Sequence, residues 1–149
     1  MTDREKAAND LLRAAARLNR WASQAAAFEI PYAQARLIAL IDELQPVRVS
    51  ALADADHSSQ PTVTAQVQRM ERAGWVCRCD DPADARATLV RLTPEGSTAL
   101  GQVRAARARV IDPFLDRLDE PVLDRVRVAV DVMTELLDLA SHDPSRKDS

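Results

Sequence analysis

The stretch "SSQPTVTAQVQRMERAGWVCRCDDPADARATLVRLTPEG", Ser58 to Gly96, contains the signals that decide the fold. Ser59 is a residue type that caps helix N-termini, and Pro61 suits a first turn whose N–H groups have no intrahelical partner. Val63, Val67 and Met70 recur at i, i+4 and i+7, giving one apolar stripe, and Gly74 supplies a left-handed stop. At about 100° per residue, the opposite face carries Pro61, Thr62, Thr64, Ala65, Gln68, Arg69 and Arg72. "WVCRC" and "ATLVRL" are runs of strand-forming residues on either side of a connection from Asp80 to Arg86, and together predict a hairpin. Thr93 and Pro94 then open a further helix.

Upstream, "SALADADHSS" predicts a short helix with Ser50 as its cap, Leu52 and Ala53 facing inward, and a break at His57 and Ser58. Two short helices joined by a tight polar turn, the second with a hydrogen-bonding outer face, form a helix-turn-helix pattern. The hairpin that follows makes it a winged helix. Before it, "IPYAQARLIALIDEL" predicts a well-buried helix with Pro31 in its first turn and Leu37, Ile38, Leu40, Ile41 and Leu44 in its apolar run. Pro46 ends that helix, and Val47 and Val49 flank Arg48 in an extended piece.

The ends of the chain are amphipathic. Leu11, Ala15, Leu18, Ala22 and Ala25 step by four and three through a helix from Ala7 to about Phe28. After Thr93 the chain reads as helical to about Arg109 or beyond, with Pro113 bending or breaking it. Pro121 opens a last helix, where Val122, Val126, Ala129, Met133, Leu136 and Ala140 form one row and Leu123, Val130 and Leu137 a second. So broad a stripe can touch two neighbours at once. The expected class is therefore mainly α (α+β). A winged helix-turn-helix module at 31–93 sits between helical dimerisation regions at 1–30 and 94–141, with a disordered tail at 142–149. Leu11, Leu18, Val126, Met133 and Leu136 are the expected dimer contacts.

Composition excludes several classes. Hydrophobic residues make up 46% and charged residues 29%, which is globular rather than disordered. The opening "MTDREKAAND" has no apolar signal core, and no apolar run approaches the roughly 20 residues that span a bilayer. A cytoplasmic protein without a membrane partner is expected. Cys77 and Cys79, spaced C-x-C, would share a strand face with little chance of a mutual disulfide, and read as packing residues. His57 and His142 lack a zinc-motif spacing, so neither a metal site nor any other cofactor is expected. With three glycines and no glycine-rich phosphate loop, no catalytic site is expected either.

"SALAD", "PTVTAQVQRMERAGWV" and "RCDDPADARATLVRLTPEG", in that order, resemble the MarR family of winged-helix transcription regulators from about Ile30 to Leu100. The D-x-R of Asp84 and Arg86, followed by V-x-L-T-x-x-G from Val90 to Gly96, carries most of the likeness. The resemblance implies a homodimer on pseudo-palindromic double-stranded DNA, commonly a repressor and often released by a small, frequently aromatic, effector. It places Ser59, Pro61, Thr62, Thr64, Gln68 and Arg69 on the DNA-facing helix and Asp84 and Arg86 in the wing. Arg86 would enter a minor groove, with Asp84 either holding its side chain or neutralising it. Trp21, Tyr32 and Arg36 lie on the helices that the family uses for its ligand pocket. Ala65 and Ala85 depart from the pattern, standing where the family often carries arginine.

Charge tells against DNA, because phosphate neutralisation supplies most non-specific affinity and the net charge is −3. From Arg48 to Arg91 six arginines face six acids. The deficit lies downstream of Leu92, and Ser59 to Arg72 holds two arginines and one acid. Together with Ala65 and Ala85, this balance motivates a rival reading, a winged-helix protein-interaction module that does not bind DNA.

Overall fold

The computed structural model describes residues 1–142, so the tail expected at 142–149 lies, apart from His142, outside the described residues. Among the described residues, six helices and three strands follow in order: α1 (Asp3–Ala25), α2 (Tyr32–Leu44), β1 (Val47–Arg48), α3 (Val49–Asp56), α4 (Gln60–Arg72), β2 (Val76–Asp81), β3 (Asp84–Leu92), α5 (Pro94–Leu115) and α6 (Glu120–Ser141). The chain divides into two compact units, Met1–Val110 and Ile111–Ser149. Among the described residues, no helix is long and apolar enough to cross a membrane.

In the first unit, helices α2, α3 and α4 pack with a three-stranded antiparallel sheet of order β1-β3-β2. Leu37, Ile38 and Ile41 of α2, Leu52 of α3, Val63, Val67 and Met70 of α4, Val76 and Val90 of the sheet and Leu100 of α5 form a continuous core. These are the apolar faces that helical and strand periodicity select, and their burial is the main force holding α4 against the sheet.

Several boundaries differ from expectation for local reasons. α1 starts at Asp3, four residues before the expected start at Ala7, because Thr2 and Glu5 form a reciprocal capping box. Ser50 lies inside α3, whose cap position is Arg48, since β1 runs directly into the helix. α5 passes through Pro113 and stops at Leu115. There the proline forfeits only a hydrogen bond close to the helix end.

In α6, Asp119 occupies the cap position and Pro121 the first turn, and no residue of the helix is buried. Val126, Val130, Leu136 and Leu137 are all exposed.

Candidate nucleic-acid interface

Ser59 fixes the start of α4 as expected. Its hydroxyl accepts the Thr62 N–H at 3.3 Å and lies 2.7 Å from the Thr62 hydroxyl. With Val63, Val67 and Met70 fully buried, Pro61, Thr62, Ala65, Gln68 and Arg69 are left exposed and Thr64 half-buried. The helix ends in a Schellman arrangement: Trp75 N–H donates to Met70 O at 2.9 Å and Gly74 N–H to Glu71 O at 3.0 Å, with Gly74 at φ +78°.

The turn before α4 is held from below. His57 adopts a left-handed conformation at the end of α3. The Asp56 carboxylate accepts Arg36 Nε at 2.6 Å, Arg36 Nη2 at 2.9 Å and the Ser58 hydroxyl at 2.5 Å. Burial alone would raise the Asp56 pKa, but the hydrogen bonds from Arg36 and Ser58 outweigh it and hold the carboxylate below its ordinary range. A folded-state pKa below the unfolded one gives stability that is present above about pH 3.9 and lost as pH falls through the folded value. Asp56→Asn is therefore expected to cost about 2 kcal/mol at pH 7. Urea unfolding should show the gap between variant and parent shrinking as pH falls from 7 into the range where the carboxylate protonates; a gap that does not change with pH would contradict the clamp.

The wing is tighter than the sequence suggests. Only Pro82 and Ala83 separate the strands, and the expected Asp80–Arg86 connection is largely strand. Two carboxylates make this turn: Asp81 Oδ1 accepts the Ala83 N–H at 2.9 Å, and Asp84 Oδ1 accepts the Arg86 N–H at 3.0 Å. Asp84 thus holds the backbone of Arg86, not its guanidinium. Behind the turn, Arg48 donates to Asp81 Oδ2 from Nε at 2.8 Å and from Nη2 at 2.5 Å. The Ala83 N–H and Arg48 together keep the Asp81 carboxylate below its ordinary range. Arg48 and Asp81 escape sequence reasoning because 33 residues separate them. Arg48, Ser50, Gln60, Thr64, Arg78 and Thr88 line a cleft of about 310 Å³ between α4 and the wing.

The charge balance resolves at this level. Arg48 pairs with Asp81, and Arg78 with Glu71 at 3.2 Å. Arg69, Arg72, Arg86 and Arg91 are exposed and enter no ion pair among the described residues. The free cations therefore lie on α4 and the wing, while much of the module's acid is spent internally.

Tyr32 and Arg36 come together, with the guanidinium carbon 5.8 Å from the ring centroid, but Arg36 is already engaged by Asp56. Trp21 is exposed on α1. A cleft beside them is lined by Arg20, Ser23, Gln24, Ala26, Phe28 and Tyr32. Of the three residues expected at a pocket, only Tyr32 lines it. Ser23 Oγ, buried and without a hydrogen-bond partner, and Phe28 were not expected, because a serine on the apolar side of a helix carries no distinctive spacing. Cys77 is exposed, while Cys79 is half-buried and its thiol donates to Leu89 O at 3.7 Å. No group of His, Cys, Asp and Glu among the described residues is arranged to hold a metal.

The MarR family profile matches residues 30–88. A transcriptional regulator of Escherichia coli O111:H-, HosA, is 40% identical over 68 residues, an alignment spanning 46% of this chain and only 50% of that protein's length. The crystal structure of the transcriptional regulator Tm0710 from Thermotoga maritima matches at 26% identity and a TM-score of 0.58, covering 79% of this chain and 81% of that one. FabT of Streptococcus pneumoniae, solved in complex with DNA, shares the fold at 18% identity and a TM-score of 0.55, covering 74% of this chain and 77% of its own. The likeness to the MarR family therefore lies in residues 30–88, which hold the helix-turn-helix and most of the wing just described.

Proposed function

We propose that the protein is a transcription regulator that binds double-stranded DNA as a homodimer on a pseudo-palindromic operator. It acts as a repressor and is released by a small aromatic effector. One observation carries this reading: the polar face of α4, with Pro61, Thr62, Gln68 and Arg69 exposed, is left open beside a wing that displays Arg86. Ser59 and Thr64 border that face. An α-helix of this kind fits a major groove, and a lone arginine beyond it fits a narrow minor groove. The relative solved with DNA has the same fold.

The dimer reading rests on apolar surface. Leu18, Val126 and Leu136 are exposed, and Leu11 and Met133 are half-buried, on the helices of the 1–30 and 94–141 regions. Exposed apolar rows along amphipathic helices mark surfaces that a partner covers. A twofold pair would also set two copies of α4 about 34–36 Å apart, one turn of duplex. The cleft at Arg20, Ser23, Phe28 and Tyr32 supports an effector site, since a cation, an orphan hydroxyl and two aromatic rings suit an anionic aromatic molecule.

Operator sequences selected from a random duplex pool test the DNA reading. Affinity for the selected site should fall on the order of a hundredfold between about 50 and 200 mM salt. Arg86→Ala should weaken binding about tenfold and flatten any A·T preference beside the half-sites. Failure to bind any duplex would favour the protein-interaction module, which the exposed Ala65 and Ala85 suit.

A further inference from the structure

Arg86 lies on a part of β3 that strand pairing does not hold. The β2–β3 register runs regularly from Val76↔Leu92 to Asp80↔Thr88 and then jumps to Asp81↔Asp84. Ala85, Arg86 and Ala87 fall inside that slip, with no partner on β2 in the register. A bulge of this kind re-aims the strand, and its direction must be set by something other than the ladder.

Side chains supply it. Arg48 is the last residue of β1, paired with Leu89 of β3, and is also the cap residue of α3, so its backbone belongs to the helix-turn-helix body. Its guanidinium crosses to the wing and places both donors on one oxygen of Asp81, whose side chain is 9% exposed. The other oxygen of Asp81 holds the Ala83 N–H of the turn. Nη2 of Arg48 also lies 3.9 Å from Oδ2 of Asp84, whose Oδ1 holds the Arg86 N–H. A continuous polar chain thus runs from the start of α3 to the backbone of Arg86. Arg48 has a second effect, because it compensates two carboxylates at the wing tip that would otherwise repel phosphate.

We propose that Arg48 is the positioning residue of the wing, fixing the bulged tip to the helix-turn-helix body so that Arg86 is presented at a set angle to α4. The inference rests on the reading of the chain as a DNA binder with Arg86 at the duplex. Since the Arg48 side chain is itself 44% exposed, the competing role is a direct phosphate contact.

A double-mutant cycle on the full-length protein separates the two roles, with fluorescence anisotropy on the selected operator duplex across a salt series. Arg48→Gln alone should weaken binding about tenfold. In the Arg86→Ala background it should cost less than about twofold, because the residue it positions is gone. An equal loss in both backgrounds, with the salt slope falling by about one, would overturn the inference in favour of a phosphate contact; so would no loss from Arg48→Gln.

Asp81→Asn breaks the same link from the wing side, keeps an acceptor for the Ala83 N–H and leaves the Arg48 cation intact. It should weaken binding several-fold although it removes a negative charge next to DNA; stronger binding would overturn positioning. Failure of the parent protein to bind any duplex would remove the DNA reading itself. Binding that is indifferent to Arg86→Ala would remove only the wing reading and the role of Arg48 with it.

Discussion

Gly96→Ala is expected to destabilise the protein by about 3 kcal/mol or more, with a fall in melting temperature on the order of 10 °C. A Cβ at Gly96 would lie 1.9 Å from the Trp75 carbonyl oxygen, which is backbone and cannot rotate aside. That oxygen already accepts the Thr93 N–H at 3.0 Å. The Thr93 hydroxyl donates to Gly74 O at 2.5 Å and accepts the Gly96 N–H at 3.0 Å. Relieving the clash would require the first turn of α5 to draw away from the base of the wing and break this cluster. Gly101, also in α5, is the matched control: a Cβ there meets nothing within 4 Å. Gly101→Ala should stabilise by about 0.5–1 kcal/mol, because glycine is costly inside a helix. Thermal and urea unfolding of both variants check the pair, and equal melting temperatures would mean that α5 does not abut Trp75 as described.

The second large effect concerns assembly. Val126→Asp combined with Leu136→Asp should yield a monomer by light scattering and reduce affinity for the selected operator by at least about two orders of magnitude. Each carboxylate would have to be desolvated in the proposed dimer interface. A monomer holds one half-site, and it loses both the second set of phosphate contacts and the spacing that matches two grooves. In the single protomer both side chains are exposed, at 38% and 49%, so folding of the chain should survive. Full operator affinity in a proven monomer would defeat the dimer reading without touching the assignment of α4.

The reading of α4 required little tertiary information. A serine cap, apolar residues at helical spacing and a left-handed glycine are each short-range signals, and the structure places Ser59, Val63, Val67, Met70 and Gly74 in those roles. The wing strands followed from β-forming runs. Its tip did not, because the turn is made by the carboxylates of Asp81 and Asp84 folding back on the backbone. Charge and spacing alone offer Asp84 two roles, holding the Arg86 side chain or neutralising it. The backbone N–H was nearer.

Sequence alone determined the order of elements, the faces of the helices that enter the core and the family resemblance, because capping, periodicity and turn chemistry act over a few residues and leave local marks. Tertiary structure decided which charges remain free. Arg36 finds Asp56 20 residues away, and Arg48 finds Asp81 33 residues away. Such partners are chosen by the packing of whole elements, which brings remote side chains within hydrogen-bond reach. The same packing turns a stretch with equal numbers of arginines and acids, Arg48 to Arg91, into one whose uncommitted cations stand on α4 and the wing.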